Sequence, residues 1–518
     1  MSEFLEQLDE KVPDINQGID LQTLQKEAEE TEPPKTMAEL YNLLYQLGSA
    51  WRKENAYIVN EGQKNERTVI PQPNVSTVAK VLKKHCHFTF IGEGAISDVS
   101  KLYIYHLDLG CYVSSDDIFR KLLLKYDNRL TSHRFFNELI AYIRTETKIQ
   151  PPLSDYRYIP VANGVYNIKT KQLEKFSPKF IITSKIKTSY NPFAKKPILG
   201  GWFDFDKWLD TLACNDKELV TLLWQVMNEA INPNRTRKKM VLLVGDGNNG
   251  KGTFQALLEN LIGRENISNL KPDQFGKEFY LGALEGKVCN IGDDISNKYL
   301  DEVSDLMSVV SGDPVQVNKK GKQPIEARFK LLCIFSGNDL PSARNKTTGW
   351  YRRLCIIPFN ADFNGETERP EIKDEFIRDK TLLEWVLFQI LNMVDFDKFI
   401  EPKAVQETLT RYKNDNDYIR LWVENFYIPN KWHEVNHVPM FIARNKLKEF
   451  AEDIGIDKPK LGRFSNSVMA ELERNTQNKY EAKNGTVGHE FYDTLDPHGF
   501  HRDRFVKGVW GIHLENSD

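Results

Sequence analysis

Apolar positions along the chain change their period several times, and each change marks an element. Leu40, Leu43, Leu44 and Leu47 recur at the spacing of one helix face. Residues 88–91 and 102–106 read as strands. Residues 117–126 and 132–144 return to a helical period, with Phe135, Phe136, Leu139, Ile140 and Ile143 on one side of the second helix. Asn163-Gly164, between short apolar runs, predicts a tight turn that leads into Val165-Tyr166. Helices are expected over 204–213 and 216–231. Short buried strands are then expected in 240–244, 287–292, 329–337 and 353–359. The helical period comes back over 382–394, from about 404, and over 417–426, 444–454 and 461–474. Strand-like segments follow near Tyr480, Phe491 and 506–512.

This rhythm divides the chain. Residues 1–36 are rich in Asp and Glu, close on Pro33-Pro34 and read as an acidic flexible tail. Residues 37–200 form a mixed α+β domain that ends in a Pro- and Gly-containing linker near 190–201. Residues 201–400 hold helices and the four buried strands, an α/β arrangement. Residues 401–518 form a C-terminal domain with connecting helices, in which helix, turn, helix and paired strands suggest a winged helix.

Composition narrows the function classes. The formal net charge of −3 over 518 residues neither favours nor excludes nucleic acid, so any basic surface must be local. Arg235-Thr-Arg-Lys-Lys239 reads equally as a solvated loop and as a DNA or subunit contact. The six cysteines are far apart with no Cys-x-x-Cys pair, which points to reduced thiols rather than a disulfide framework. His85-Cys86-His87 reads as a strand rather than a metal cluster. No apolar run approaches the ~20 residues of a membrane span, and the acidic N-terminus is no signal peptide. A cytoplasmic protein with no membrane partner is expected. Residues 37–193 lack the carboxylate constellation of a primase or polymerase site.

The chemistry gathers on the four strands. After the first comes Gly245-Asp-Gly-Asn-Asn-Gly-Lys-Gly-Thr253, then a helical pattern through Phe254, Leu257, Leu258 and Leu261. Strand, glycine loop, Gly-Lys and helix is the order of a phosphate-binding P-loop. Its backbone N–H groups and helix N-terminus cradle an anion, and Lys251 reaches the β- and γ-phosphates. Gly252 stands where Ser or Thr usually follows the lysine, and Thr253, one place later, is the available magnesium hydroxyl. The second strand ends in Asp293-Asp294, one acid for a metal's water shell and its neighbour for a general base. The third ends in Asn338, a polar amide at the edge where open α/β sheets bind ligands. Arg352-Arg353 enters the fourth and can act as an arginine finger on a neighbouring subunit's nucleotide. Between the second and third strands, Val315 and Val317 alternate, Lys319-Lys320-Gly321-Lys322 makes a cationic turn, and a return strand leads to Phe329. Lysines on such a tip meet phosphates without reading sequence.

With these motifs the chain resembles the superfamily-three helicases, a branch of the AAA+ ATPases. Gly-Asp-Gly-Asn-Asn-Gly-Lys-Gly-Thr is similar to Walker A, Ile-Gly-Asp-Asp to Walker B, Phe-Ser-Gly-Asn to motif C, and the segment 311–324 to B′. The motif likeness covers about 242–359. The segment around Asn163-Gly164-Val165-Tyr166 looks like the region that precedes the helicase in phage, plasmid and poxvirus members. The whole architecture is similar to replication initiator helicases of staphylococcal mobile elements. The resemblance implies a central AAA+ α/β/α ATPase in a hexameric ring that takes ATP and Mg²⁺. Gly245, Gly247, Asn248, Asn249, Gly250, Lys251, Gly252 and Thr253 would hold the nucleotide, Thr253 and Asp293 the metal. Asp294 would be the base, Asn338 the sensor, and Arg353 the finger, with Arg352 as the second candidate. A B′ hairpin with Lys319, Lys320 and Lys322 would grip single-stranded or forked DNA, Lys320 foremost. Lys460, Arg463 and Asn466 lie where a winged helix would contact duplex origin DNA. A primase or polymerase is a further expected partner. The expected function is an ATP-dependent replicative helicase and initiator. Two alternatives stay open: an ATP-binding origin-recognition protein that does not unwind, and a nucleotide kinase, since those enzymes also use Gly-Lys-Gly-Thr.

Overall fold

A computed structural model describes residues 32–92, 100–295, 300–318, 324–341, 343, 347–365, 368–415, 418–453, 464–485 and 509–515. The chain forms two compact units, Met1–Tyr190 and Asn191–Asp518.

In the first unit the helix Met37–Glu54 starts where Thr36 Oγ1 accepts from Glu39 N at 3.1 Å, an N-cap that satisfies an otherwise orphaned donor. Its buried face carries Leu40, Leu44 and Leu47. The helices Val75–His85, Asp116–Tyr126 and His133–Glu146 share this core with a four-stranded sheet in the order 111–113, 102–106, 88–91, 149–150. The expected turn at Asn163-Gly164 closes a hairpin whose register pairs Val161 with Gly164. His85 ends a helix and Cys86 is its buried cap, so this segment is a helix terminus and not the expected strand. Among the described residues no cluster of His, Cys, Asp or Glu is arranged to hold a metal ion. No helix among them is long and apolar enough to cross a membrane.

The second unit is built on a five-stranded sheet in the order 267–268, 289–292, 332–337, 240–244, 354–358, with every pair parallel. Alternate positions explain why these runs are apolar throughout. Met240, Leu242 and Ile356 pack on one face with the helix Ser304–Ser311 and the 314–328 hairpin, while Val241, Leu243 and Ile357 are equally buried on the other. Hence the residues after each strand, rather than those within it, carry the polar chemistry. The helix Lys403–Asp415 packs along the strand Leu354–Pro358, and Tyr412 Oη donates to Pro341 O at 2.9 Å inside the sheet's own core. A separate core begins at Tyr418, beyond the helix Lys403–Asp415.

That C-terminal core joins the helices Met440–Asp453 and Phe464–Thr476 to an antiparallel sheet in the order 437–439, 509–514, 480–485. The strand-like segments expected near Tyr480 and at 506–512 correspond to two of its strands, and the short strand His437–Pro439 is one that periodicity did not reveal. Phe491 and the acidic residues 1–31 lie outside the described residues.

Candidate functional site

Because the sheet is parallel, one edge collects the C-terminal ends of its strands, and there the chain builds its glycine loop. Gly245 follows the strand Met240–Val244 directly. A Cβ at Gly245 would lie 2.2 Å from Phe359 O and 2.4 Å from Asn249 Nδ2, so only glycine lets the two chain segments approach. Gly250 caps the helix Lys251–Ile262 at φ +86°, where a side chain would also meet Leu212 Cδ2 at 2.3 Å. Gly247 has open space around it.

The two asparagines of the loop act as struts. Asn249 Nδ2 donates to Phe359 O at 2.9 Å and to Asp246 O, and Asn248 Nδ2 donates to Phe363 O at 3.2 Å and Asn364 Oδ1 at 3.1 Å. Their side chains therefore tie the loop to the segment that follows the strand Leu354–Pro358. Lys251 is buried, and its Nζ donates to Gly245 O at 2.5 Å, Asp246 O at 3.2 Å and Asn249 Oδ1 at 2.9 Å. Burial pulls its pKa below the ordinary lysine value, while Asp246 and Asp293 act the other way. A cation held against backbone carbonyls at a helix N-terminus is suited to bind phosphate oxygens.

The strand Cys289–Gly292 delivers Asp293 and Asp294 to the same edge. Asp293 Oδ1 accepts from Ser336 Oγ at 2.5 Å and from the Asp294 amide at 2.9 Å, which fixes the carboxylate and leaves Oδ2 without a partner in that pair of bonds. Asp294 sits at φ +48° with its side chain exposed, and its carbonyl accepts from Lys271 Nζ at 2.7 Å. The strand Leu332–Gly337 runs between the loop strand and the acid strand, so Asn338 at its end stands between the glycine loop and Asp293. Asn338 borders two cavities on that edge, of about 890 and 660 Å³. The larger is also lined by Gly247 through Thr253 and by Trp202, Lys207, Phe363, Arg369 and Lys373. Sequence reading missed the last five. For Phe363 the signal available was position: the 359–364 segment leaves a parallel strand at the ligand-binding edge.

Arg352 and Arg353 precede the strand Leu354–Pro358 and therefore lie at the opposite edge of the sheet. Leu354 pairs with Met240, the first residue of the loop strand, and Met240 N donates to Arg353 O at 2.7 Å. A strand of 5 residues separates them from Gly245, about 16 Å of extended chain. Arg353 is pinned, its Nε donating to Ser311 Oγ at 2.8 Å and its Nη1 to Gly349 O at 2.6 Å. Arg352 is exposed.

Three of the four cations in the basic run before the loop strand are tied into the protein, and Lys238 is exposed. Arg237 forms a buried ion pair with Glu229, with side-chain exposures of 3% and 0%, and its guanidinium lies 3.6 Å over the Phe396 ring. Arg235 pairs with Asp395 at 2.5 Å and Lys239 with Glu401 at 2.9 Å. Of the expected DNA contacts, Lys319, Lys320 and Lys322 lie outside the described residues, as do Lys460 and Arg463. The arms that carry the first three do form a hairpin, Pro314–Val317 paired antiparallel with Ile325–Arg328, and Val315 and Val317 are buried as their alternation predicts. Asn466 is exposed in the first turn of the helix Phe464–Thr476.

The fold and site thus define a chain with a lysine-bearing glycine loop, two acids and an amide along the ligand-binding edge of a parallel α/β sheet. Residues 243–353 match a family of unknown function (DUF5906), and residues 45–214 match a segment described as D5 N terminal like. The chain is 23% identical over 238 residues to putative helicase 121R of Invertebrate iridescent virus 3, covering 38% of the chain and 25% of that protein. It is 23% identical over 248 residues to putative helicase L207/L206 of Acanthamoeba polyphaga mimivirus, covering 41% and 25%. Putative helicase 022R of Frog virus 3 is 23% identical over 214 residues, covering 36% and 22%. The chain thus spans about a quarter of the length of these relatives. Among solved structures, the apo C-terminal region of NrS-1 matches at TM-scores of 0.44 and 0.45 with 13% and 12% identity, over 86% of this chain and all of that one. The D5-type segment and the low-identity relatives support a helicase-type protein.

Proposed function

We propose that this chain is an ATP-dependent replicative DNA helicase and replication initiator that works as a homo-oligomeric ring, a hexamer by its resemblance to superfamily three. The same resemblance suggests a mobile genetic element as its source. The observation that carries the reading is the division of labour between the two edges of one sheet. Lys251, Asp293, Asp294 and Asn338 share one edge, and Arg352 and Arg353 occupy the other. Neither Arg352 nor Arg353 can reach the glycine loop of its own chain across the length of a strand. Those of a second copy can, so ATP would be hydrolysed between subunits.

The residues present fit magnesium carried in with a nucleotide. Asp293, Asp294 and the Thr253 hydroxyl offer hard oxygen donors, too few for a protein cage and suited to an ion that keeps water and phosphate ligands. Bound there, the ion would neutralise developing phosphate charge. Lys251 would hold the β- and γ-phosphates, Asp294 would accept a proton from the attacking water, and Asn338 would orient that water. Arg352, exposed where Arg353 is pinned, is the better placed finger. Nucleotide state would then be relayed to the 314–328 hairpin, whose buried valines share a core with Phe335 of the asparagine strand. The tip lysines 319, 320 and 322 would grip DNA phosphates, and the C-terminal module, with Lys460, Arg463 and Asn466, would bind origin duplex as a winged helix.

The test is DNA-stimulated ATPase and unwinding of forked DNA by the purified chain, with its mass measured on the fork. Lys251→Ala and Asp294→Asn are expected to abolish hydrolysis and strand displacement while duplex binding persists. Unwinding that survives either substitution would overturn the mechanism. Hydrolysis and duplex binding without any unwinding would leave an initiator that only assembles on its origin.

A further inference from the structure

Gly252 is an anomaly of the loop. It is the second residue of the helix Lys251–Ile262, and its φ is not among the positive ones, so the backbone does not call for glycine there. Packing does not call for it either. Among the described residues, a Cβ at this position would have a single neighbour within 4 Å, the Lys373 ammonium at 3.8 Å. By contrast, side chains at Gly245 and Gly250 would meet other groups at 2.2 and 2.3 Å. Glycine inside a helix is destabilising relative to alanine, so its occurrence without a local reason points to something that needs the space.

Lys373 fills that description. It lies on the short helix Pro370–Asp374, which packs against the helix Lys251–Ile262. It borders the larger cavity together with Gly250, Lys251 and Thr253. Its side chain is exposed and makes no ion pair among the described residues. Arg369, four residues earlier and so on the same side of the turn, borders the same cavity. Among the described residues this ammonium, held beside the first turn of the loop helix, has no ion-pair partner, and it borders the place where an anion would bind.

We infer that Lys373 is a further phosphate-binding residue of this site, acting within the same chain: with no side chain at position 252, its ammonium reaches the terminal phosphate of a bound nucleoside triphosphate. The inference rests on the nucleotide-binding reading above. It gives the site a second lysine where a hydroxyl usually stands, and it makes the site discriminate triphosphate from diphosphate by a charge-assisted contact that only the longer ligand completes.

The experiment measures ATP and ADP binding, with magnesium, to the full chain and to Lys373→Ala, Lys373→Arg, Gly252→Val and Lys251→Ala. Lys373→Ala is expected to weaken ATP about tenfold and ADP less than about threefold, the worth of one charge-assisted hydrogen bond. Lys373→Arg is expected to recover most of the ATP affinity. Gly252→Val, whose branched side chain occupies the approach, is expected to reproduce the loss, with no further loss on adding Lys373→Ala. Because Lys373 is exposed, the melting temperature without nucleotide is expected to stay unchanged. Wild-type ATP affinity in Lys373→Ala, alongside lost binding in Lys251→Ala, would overturn this assignment and leave the nucleotide site standing. Equal losses for ATP and ADP would also overturn it. Unchanged binding in Lys251→Ala would remove the nucleotide reading and this inference together.

Discussion

Ser336 Oγ donates to Asp293 Oδ1 at 2.5 Å, a bond that joins the asparagine strand to the acid strand at the edge where both end. Ser336 is 2% exposed, so the hydroxyl is delivered from inside the sheet and the carboxylate it holds faces outward. Ser336→Ala is expected to cost about 1 kcal/mol of stability, the net worth of one hydrogen bond. It is also expected to lower kcat for ATP about tenfold with little change in KM, because the acid loses orientation rather than the site losing affinity. Steady-state ATPase beside a urea melt separates the two effects.

The glycines of the loop are expected to differ sharply. Gly245→Ala drives a methyl into the Phe359 carbonyl at 2.2 Å, whereas the Gly247 position has open space. Nucleotide binding is expected to be lost in Gly245→Ala and kept within about threefold in Gly247→Ala, a gap of well over 1 kcal/mol. Similar affinities for the two variants would contradict the loop conformation.

Placing the arginines and the glycine loop on opposite edges predicts complementation. Arg352→Ala is expected to bind ATP normally and fail to hydrolyse it, and Lys251→Ala to fail in both. Mixed together, the two inactive proteins are expected to recover measurable ATPase, since some interfaces pair an intact loop with an intact arginine. No recovery at any ratio would argue against a site shared between copies.

Arg237 belongs to the scaffold. Removing it leaves Glu229 as a buried unpaired carboxylate at 0% exposure. Arg237→Ala is expected to destabilise by about 3–5 kcal/mol, read from denaturant melts. Whatever protein folds should bind DNA as the wild type does. A loss of DNA affinity at unchanged stability would restore the surface reading of the basic run.

Acid should weaken the C-terminal module through His437. Burial holds this imidazole below its ordinary value of 6.5, with the Val509 carbonyl opposing and His513 and Lys483 adding to the depression. The unfolded chain therefore binds the proton at higher pH than the folded one. The stability linked to this group is full above about 6.5 and is lost as pH falls from there through the folded value. Denaturant melts of the full chain between pH 7 and 5 are expected to fall less steeply in His437→Gln. Parallel profiles would rule the histidine out.

Local pattern carried much of this. The runs at 88–91 and 102–106, the turn at Asn163-Gly164 and the helices near 117–126 and 204–231 correspond closely to elements of the structure, because each satisfies its own backbone and shows its buried face in its own period. Less legible were elements whose reason is a distant partner. The strand His437–Pro439 exists by pairing with Gly511 through His513, and the helix Lys403–Asp415 belongs to the sheet because Tyr412 reaches Pro341. The basic run 235–239 reads alike in a loop and in a clamp until Glu229, Asp395 and Glu401 are seen beside it.

By itself, the sequence determined the loop, the acids, the amide and the arginines, since each is a residue type fixed at the end of a short apolar run. Only the tertiary structure decided which of them can meet. The strand order slots 332–337 between 240–244 and 289–292, which brings Asn338, Asp293 and Lys251 to one edge, while the parallel direction of 354–358 leaves Arg352 at the other. It also sets Lys373 above Gly252, more than a hundred residues along the chain, a proximity that follows from how helices pack on a sheet and leaves no periodic trace in the residues themselves.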